Sequence, residues 1–284
     1  MTITETAYAK INLALHVRKV REDGYHELET LFAFVDSGDV LSAKPATQDS
    51  LHVVGEFAAT LASPLPGGEG PGVGVPPFDN LVARALNALP RPQGLAVTLE
   101  KNLPVAAGLG GGSADAGAVF RMVEALHVLP PDWQARAAKL GADVPACVLS
   151  RTHIGLGTGT EQREVEDDLV GTPVLLVNPR VPLSTGPVFK AWASVGDGLD
   201  RGALPKGSAS KIAREGRNDL EAPAISLCPV IAEVLAGLQA TKPWLARMSG
   251  SGATCFALYE TIAARDAAQA AMPAAWWTMA GRLR

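Results

Sequence analysis

Four glycines, Gly108, Gly110, Gly111 and Gly112, crowd into the segment PVAAGLGGGSADAGAVF that begins at Pro104. They stand just ahead of a run with helical periodicity. Successive glycines let backbone N–H groups converge on one anion, and the unpaired N–H groups that open a helix add donors and a positive field. The pattern therefore predicts a phosphate site, with the Ser113 hydroxyl suited to a phosphate oxygen or to Mg²⁺. It is not the lysine-containing loop of nucleoside triphosphatases, because it ends Gly-Gly-Ser. Nor does it follow the dinucleotide pattern, since Lys101 to Ala107 separate the preceding strand from the glycines. A second group lies near the start of the chain, where Ala9 to Val17 alternates as a strand and puts Lys10, Asn12 and His16 on one face.

The elements around these residues follow from periodicity and turn chemistry. Gly24 to His26 makes a turn, ELETLFAFV reads as the second strand of a hairpin, and residues 36 to 57 continue as short strands. SPLPGGEGPGVGVPP, from Ser63 to Pro77, holds too many glycines and prolines for packed regular structure and reads as a surface insertion. A helix over Asp79 to Leu89 with Asp79 as N-cap, and a strand over Leu95 to Glu100, lead into the glycines. Beyond them, Ala116, Val119, Phe120, Val123 and Leu126 form one stripe of a helix starting near Ser113, and a shorter helix covers Gln134 to Leu140. After about residue 160 come a strand at Val174 to Asn178, a Pro/Gly-rich loop and a long irregular segment. A helix at Pro229 to Leu238, a glycine turn at Ser249 to Gly252, a strand at Thr254 to Tyr259, a helix at Ile262 to Ala271 and a strand near Trp276 to Ala280 complete a second α+β unit.

With 284 residues, 47% apolar and 19% charged, the chain has material for one large core or two smaller ones. A net charge of -4 gives no general reason to bind nucleic acid or an acidic membrane. Cys147, Cys228 and Cys255 show neither metal-ligand spacing nor a disulfide framework. The polar first residues, with Lys10 close behind, are unlike a signal sequence, and no apolar run is long enough to span a bilayer, so a cytoplasmic protein is expected.

Taken in order, AKINLAL from Ala9, DGYHELETLF from Asp23, PVAAGLGGGSADA from Pro104, LGADVP from Leu140, RND from Arg217 and SGSGATCFAL from Ser249 resemble the GHMP kinase superfamily over nearly the whole chain. Within it, DGYH combined with LGADVP and AKINL is similar to members whose acceptor is a cytidine-diphosphate-linked methylerythritol in non-mevalonate isoprenoid synthesis. The resemblance implies an α+β GHMP kinase fold, with a ribosomal protein S5 domain 2-like N-terminal domain (1–160) and a ferredoxin-like C-terminal domain (161–284) flanking a cleft. It implies ATP as phosphoryl donor with Mg²⁺, no nucleic acid or membrane partner, and a monomer or weak homodimer.

Residue by residue, the resemblance makes Asp143 the base and Lys10 its partner. An acceptor hydroxyl must lose its proton as it attacks, and a cation beside the transferring group neutralises developing charge. An aspartate after Gly141-Ala142 also suits a plain helix cap, and a lysine in a strand is commonly an edge residue. The nucleotide side maps to Asn80, Leu81, Lys101, Pro104, Ala106, Ala107, Gly108, Leu109, Gly110, Gly111, Gly112, Ser113, Ala114 and Asp115, with Ser113 toward the metal. Asp115 would repel a triphosphate unless a cation or water intervened, or unless its side chain faced the adenosine end. Acceptor contacts map to Asn12, Tyr25, His26, Phe32, Asp143, Thr185 and Phe189, with the rings of Tyr25, His26 and Phe32 at the cytosine and Phe189 as a cover. Phe32, in an apolar strand, is equally at home in a core. A related kinase with a small acceptor, such as homoserine or mevalonate, and a non-catalytic nucleotide-binding protein are the alternatives.

Overall fold

The structure is a computed structural model that describes residues 2–22, 24–61, 80–159, 161–195 and 199–284. The insertion at 63–77, Asp23 and Asp79 lie outside the described residues. In chain order the elements are β1 (Ile3–Val20), β2 (His26–Ala46), β3 (Ser50–Val54), α1 (Ala58–Leu61), α2 (Leu81–Ala88), β4 (Gly94–Glu100), α3 (Gly111–Leu126), α4 (Trp133–Leu140) and α5 (Val144–Leu149). They continue with β5 (His153–Gly157), β6 (Glu161–Arg163), β7 (Pro173–Asn178), α6 (Thr185–Val195), α7 (Ala209–Glu215), α8 (Glu221–Leu227), α9 (Val230–Ala240), β8 (Leu245–Met248), β9 (Cys255–Leu258), α10 (Ile262–Ala271) and β10 (Trp277–Arg282). The chain forms two compact units, one from Met1–Ala9, Gly38–Val105 and Gly110–Ser150, the other from Lys10–Ser37, Ala106–Leu109 and Arg151–Arg284.

In the first unit, Val40 to Ala46 of β2 pairs antiparallel with β4, and β3 runs parallel to β4. Period-2 alternation in β4 buries Leu95, Val97 and Leu99 on one face. Helix α3 packs on α2 and α5 and buries Ala116, Val119, Phe120 and Val123, whereas Leu126 at its last turn is 37% exposed. Contact with α5 is backbone to backbone, since a Cβ on Gly117 would lie 2.6 Å from the Cys147 carbonyl carbon and oxygen. Gly117→Ala is therefore expected to destabilise the protein by about 1–3 kcal/mol through overpacking. A melting temperature equal to wild type would show that α3 and α5 do not meet this closely.

In the second unit, Leu28 to Phe32 of β2 pairs antiparallel with β5, which in turn pairs with β6. A separate antiparallel sheet has the order β10-β7-β9-β8. Read with its connecting helices, this is the βαββαβ arrangement of a ferredoxin-like unit. β7 is buried at every position, and Leu175 and Val177 share a core with Trp192, Ile231, Val234 and Leu238.

Several sequence expectations change here. Residues 36 to 57 are not a series of short strands, because β2 continues unbroken to Ala46 before β3. The segment expected to be irregular contains α6, α7 and α8. Pro187 and Pro223 stand in the opening turns of α6 and α8, where a missing N–H costs nothing, and so resemble breakers when only the sequence is read. The cap of α2 is Asn80, whose Oδ1 accepts the Val82 N–H at 2.9 Å. α3 begins at Gly111, slightly before the expected Ser113. Among the described residues no helix is long and apolar enough to cross a membrane.

Candidate active site

In the first unit the glycine run becomes a helix start built without a side-chain cap. Gly110 is the N-cap of α3 at φ 62° and, as a glycine, brings no side chain to cap the helix end. Ala114 N–H reaches Gly110 O at 2.8 Å, so the N–H groups of Gly111, Gly112 and Ser113 precede the intrahelical ladder. A carboxylate or hydroxyl cap would compete with an incoming phosphate, so an uncapped end fits an anionic ligand. Leu81 packs here, its Cδ1 standing 3.3 Å from where a Gly112 Cβ would be. A Cβ on Gly141 would lie 3.9 Å from Ser113 Oγ, which brings the turn before α5 to the same end of α3.

Asp143 closes that turn at the N-cap position of α5. Its backbone is helical, φ −84° and ψ −12°, and its side chain makes no capping bond to α5. Lys101 and Asp115 are buried inside the unit, their side chains ion-paired with each other at 2.8 Å. Asp115 thus has one carboxylate oxygen, Oδ2, engaged by Lys101 within the unit. Lys101 N–H donates to Val54 O at 2.7 Å and its carbonyl accepts from Phe57 N–H at 3.0 Å.

The second unit carries Lys10 and Asn12 side by side on β1, as period-2 spacing predicts. Lys10 is 4% exposed, its Nζ 3.3 Å from Asn12 Oδ1 and 4.3 Å above the centroid of Phe32. Asn12 donates through Nδ2 to Thr30 Oγ1 at 2.7 Å, and Thr30 donates to Ala14 O at 2.8 Å. His16 lies on the same face but serves elsewhere, with Nδ1 3.0 Å from Gly202 O and Nε2 accepting the Arg217 N–H. Burial lowers its pKa below the usual histidine value.

The tip of the glycine loop, Ala106–Leu109, belongs to this second unit. Lys10 N–H donates to Leu109 O at 3.0 Å and Thr254 N–H to Ala107 O at 3.2 Å. Ser249 Oγ accepts the Asn12 N–H at 3.2 Å and donates to Gly108 O at 2.8 Å. Gly108 has φ 76°, and a Cβ there would fall 2.3 Å from Ser249 O, so only glycine fits. Asn218 Nδ2 holds the Ser249 turn through the carbonyls of Met248 and Gly250, both at 2.8 Å.

The aromatic residues divide into two places. His26 sits 4.6 Å from Phe189, centroid to centroid, and meets Trp192 edge-on at 5.5 Å. Its Nε2 is buried without a hydrogen-bond partner, and burial lowers its pKa, which favours the neutral ring. Tyr25, just before β2, is 66% exposed. Phe32 does not join this group: six residues further along β2 it is displaced by about 20 Å. It is 2% exposed and packs against His153 at 5.2 Å and under Lys10. Sequence reading missed Trp192, whose only signal was a place one turn after Val188 on an apolar helix face. Thr185, at the start of α6, shares a hydroxyl contact of 2.9 Å with Ser251, and Phe189 follows it one turn later.

Comparison with known proteins places this geometry. The family model described as "GHMP kinases N terminal domain" matches residues 80–151, and "GHMP kinases C terminal" matches residues 201–277. The fold is thus that of the GHMP kinases, ATP-dependent enzymes that phosphorylate small molecules. A protein of Novosphingobium aromaticivorans named 4-diphosphocytidyl-2-C-methyl-D-erythritol kinase is 66% identical, covering 100% of this chain and 94% of its own. Another so named, from Erythrobacter litoralis, is 62% identical over 99% of this chain and 100% of its own. The crystal structure of a 4-(cytidine 5'-diphospho)-2C-methyl-D-erythritol kinase superposes with a TM-score of 0.80 at 34% identity, covering 99% of each chain. The chain belongs to the 4-diphosphocytidyl-2-C-methyl-D-erythritol kinase family.

Proposed function

We propose that this chain transfers the γ-phosphoryl group of ATP to the 2-hydroxyl of 4-diphosphocytidyl-2-C-methyl-D-erythritol, giving the 2-phosphate and ADP in non-mevalonate isoprenoid synthesis. Support comes first from one observation: β2 carries two separate stations, the His26 and Phe189 rings at its start and the Lys10 and Phe32 pair about 20 Å along it. An elongated acceptor with a base at one end and an alcohol at the other uses both. Homoserine or mevalonate would need only the second.

In this reading the neutral His26 ring offers its unpartnered Nε2 to the polar edge of cytosine, and Phe189 and Tyr25 supply stacking surface. Asn12 and Thr185 meet the rest of the acceptor. Asp143 accepts the proton of the attacking hydroxyl, and Lys10 neutralises charge on the transferring phosphoryl group. The N–H groups of Gly111, Gly112 and Ser113 take the ATP phosphates. Among the described residues no group of three or more His, Cys, Asp or Glu could hold a metal ion. Mg²⁺ would therefore arrive with the nucleotide, held by phosphate oxygens and the Ser113 hydroxyl, where it screens phosphate charge. The family's N-terminal and C-terminal domains are taken as 1–160 and 161–284.

A coupled ADP-release assay with Mg-ATP tests the reading. The cytidine-diphosphate-linked alcohol should be turned over, and methylerythritol phosphate, homoserine and mevalonate should not, because remote base binding helps to position the reacting hydroxyl. Equal use of methylerythritol phosphate would overturn the cytosine site. Preference for homoserine or mevalonate would make this a small-acceptor kinase.

A further inference from the structure

Beneath the uncapped start of α3, and inside the first unit, lie three charges with almost no access to water. Lys101 is 2% exposed, Asp115 3% and Asp39 0%. Lys101 Nζ is ion-paired with Asp39 Oδ2 and, at 2.8 Å, with Asp115 Oδ2. Asp39 Oδ1 accepts the N–H groups of Asn102 at 2.6 Å and Leu103 at 2.7 Å, the residues that lead from β4 toward the glycines. Asp115 stands one turn into α3 on the face of Gly111, where a Cβ would come within 3.2 Å of Lys101 Nζ and 3.7 Å of Asp39 Oδ2. The other oxygen of Asp115, Oδ1, is buried without a hydrogen-bond partner.

Such a cluster fixes geometry because it tolerates so little. A buried charge separated from its partner costs several kcal/mol, so strand β2, the segment after β4 and the first turns of α3 keep one relative position. Burial raises the Asp115 pKa to about 7 against the pull of Lys101, so above that pH the cluster carries one surplus negative charge, offset by two backbone N–H groups and by the positive end of α3. As pure electrostatics this is unhelpful, since an extra carboxylate near the helix start opposes an anionic ligand. Its value is mechanical.

We propose that Lys101, Asp39 and Asp115 are positioning residues for nucleotide phosphate binding: they hold the N-terminus of α3 so that the N–H groups of Gly111, Gly112 and Ser113 stay aimed at the phosphates, while the Lys101 ammonium never touches the nucleotide. The inference rests on the reading of Gly110–Ser113 as the phosphate site, and it changes what Lys101 and Asp115 do there.

Two mechanisms predict opposite signs for Asp115→Ala. Loss of a nearby negative charge alone would tighten MgADP binding, whereas loss of the link to α3 should weaken it by about tenfold or more. Asp115→Asn keeps an oxygen to accept from Lys101 and should stay within about threefold of wild type. Calorimetric titration with MgADP, alongside thermal melts, reads both. A merely structural role would lower the melting temperature and the binding-competent fraction but leave the Kd of the folded remainder unchanged. If Asp115→Ala does not fold, Lys101→Met combined with Asp115→Leu and Asp39→Asn removes the link without stranding a buried charge and should show the same weakening. MgADP bound as tightly as by wild type, or more tightly, by whichever of these variants folds would overturn the inference. Wild-type protein that binds no MgADP would overturn the phosphate reading beneath it.

Discussion

Asp143→Asn is expected to lose about 10²-fold or more in kcat while its melting temperature and MgADP affinity stay near wild type. The amide is isosteric with the carboxylate but cannot take a proton from the attacking hydroxyl. In many proteins an aspartate at this position would be doing a capping job, and its loss would then appear in stability. Here the Asp143 side chain makes no capping bond to α5, and the isosteric amide keeps an oxygen acceptor in the same place, so stability should change little. Steady-state kinetics with saturating ATP and acceptor, plus a melt, make the check. Turnover above about a third of wild type would remove Asp143 from the role of base, because general-base contributions typically amount to about 10²–10⁴-fold.

His26→Ala is expected to lower kcat/KM for the cytidine-linked acceptor by about 5- to 150-fold, equivalent to about 1–3 kcal/mol of transition-state binding. The cause is visible in the free protein, where Nε2 is already out of water without a hydrogen bond. Its desolvation cost has been met before substrate arrives, so the base edge gains the whole interaction. ATP affinity measured without acceptor should not move. If it falls as much as acceptor efficiency does, His26 is not at the base. The depressed pKa adds a sign. An unfolded histidine titrates near 6.5, so the stability linked to the buried neutral ring is complete above that pH and is lost as pH falls toward the lower folded value. Acceptor efficiency should therefore be flat above neutrality and weaken on the acid side.

What the sequence made legible were features written in short spacings. The glycines of the loop are adjacent in the chain, Lys10 and Asn12 obey the strand period, and α10, capped by Thr261 Oγ1 on the Ala264 N–H, begins and ends where its pattern says. Long-range partnerships left no such trace. Nothing in a carboxylate at position 39 announces a lysine at 101 or an aspartate at 115, and a buried ion cluster obeys no period. Trp192 meets His26 only because α6 brings its ring to the start of β2, and α6 itself was hidden by Gly186 and Pro187 in its first turn. Phe32 shows the converse error. It shares a strand and a motif with His26, yet at about 3.3 Å per residue six positions put it far from the ring it was grouped with.

The interleaving of chain segments between the two units has a consequence for how the protein comes off the ribosome. The second unit needs Lys10–Ser37 from the beginning of the chain and Arg151–Arg284 from its end. Its closing ties come from the last residues: Leu283 bridges to Val35, and the Arg284 N–H donates to Phe34 O at 3.0 Å. During synthesis at about 5–20 residues per second, the apolar face of Leu31, Ala33 and Val35 must therefore wait many seconds for partners not yet made. Contacts so distant in sequence also make closure slow once the chain is free. The nascent protein passes through a state in which one unit is able to assemble while this part of β2 has β1 but lacks its C-terminal partners, which is the form a chaperone would hold and in which a missense change in β2 would do its harm.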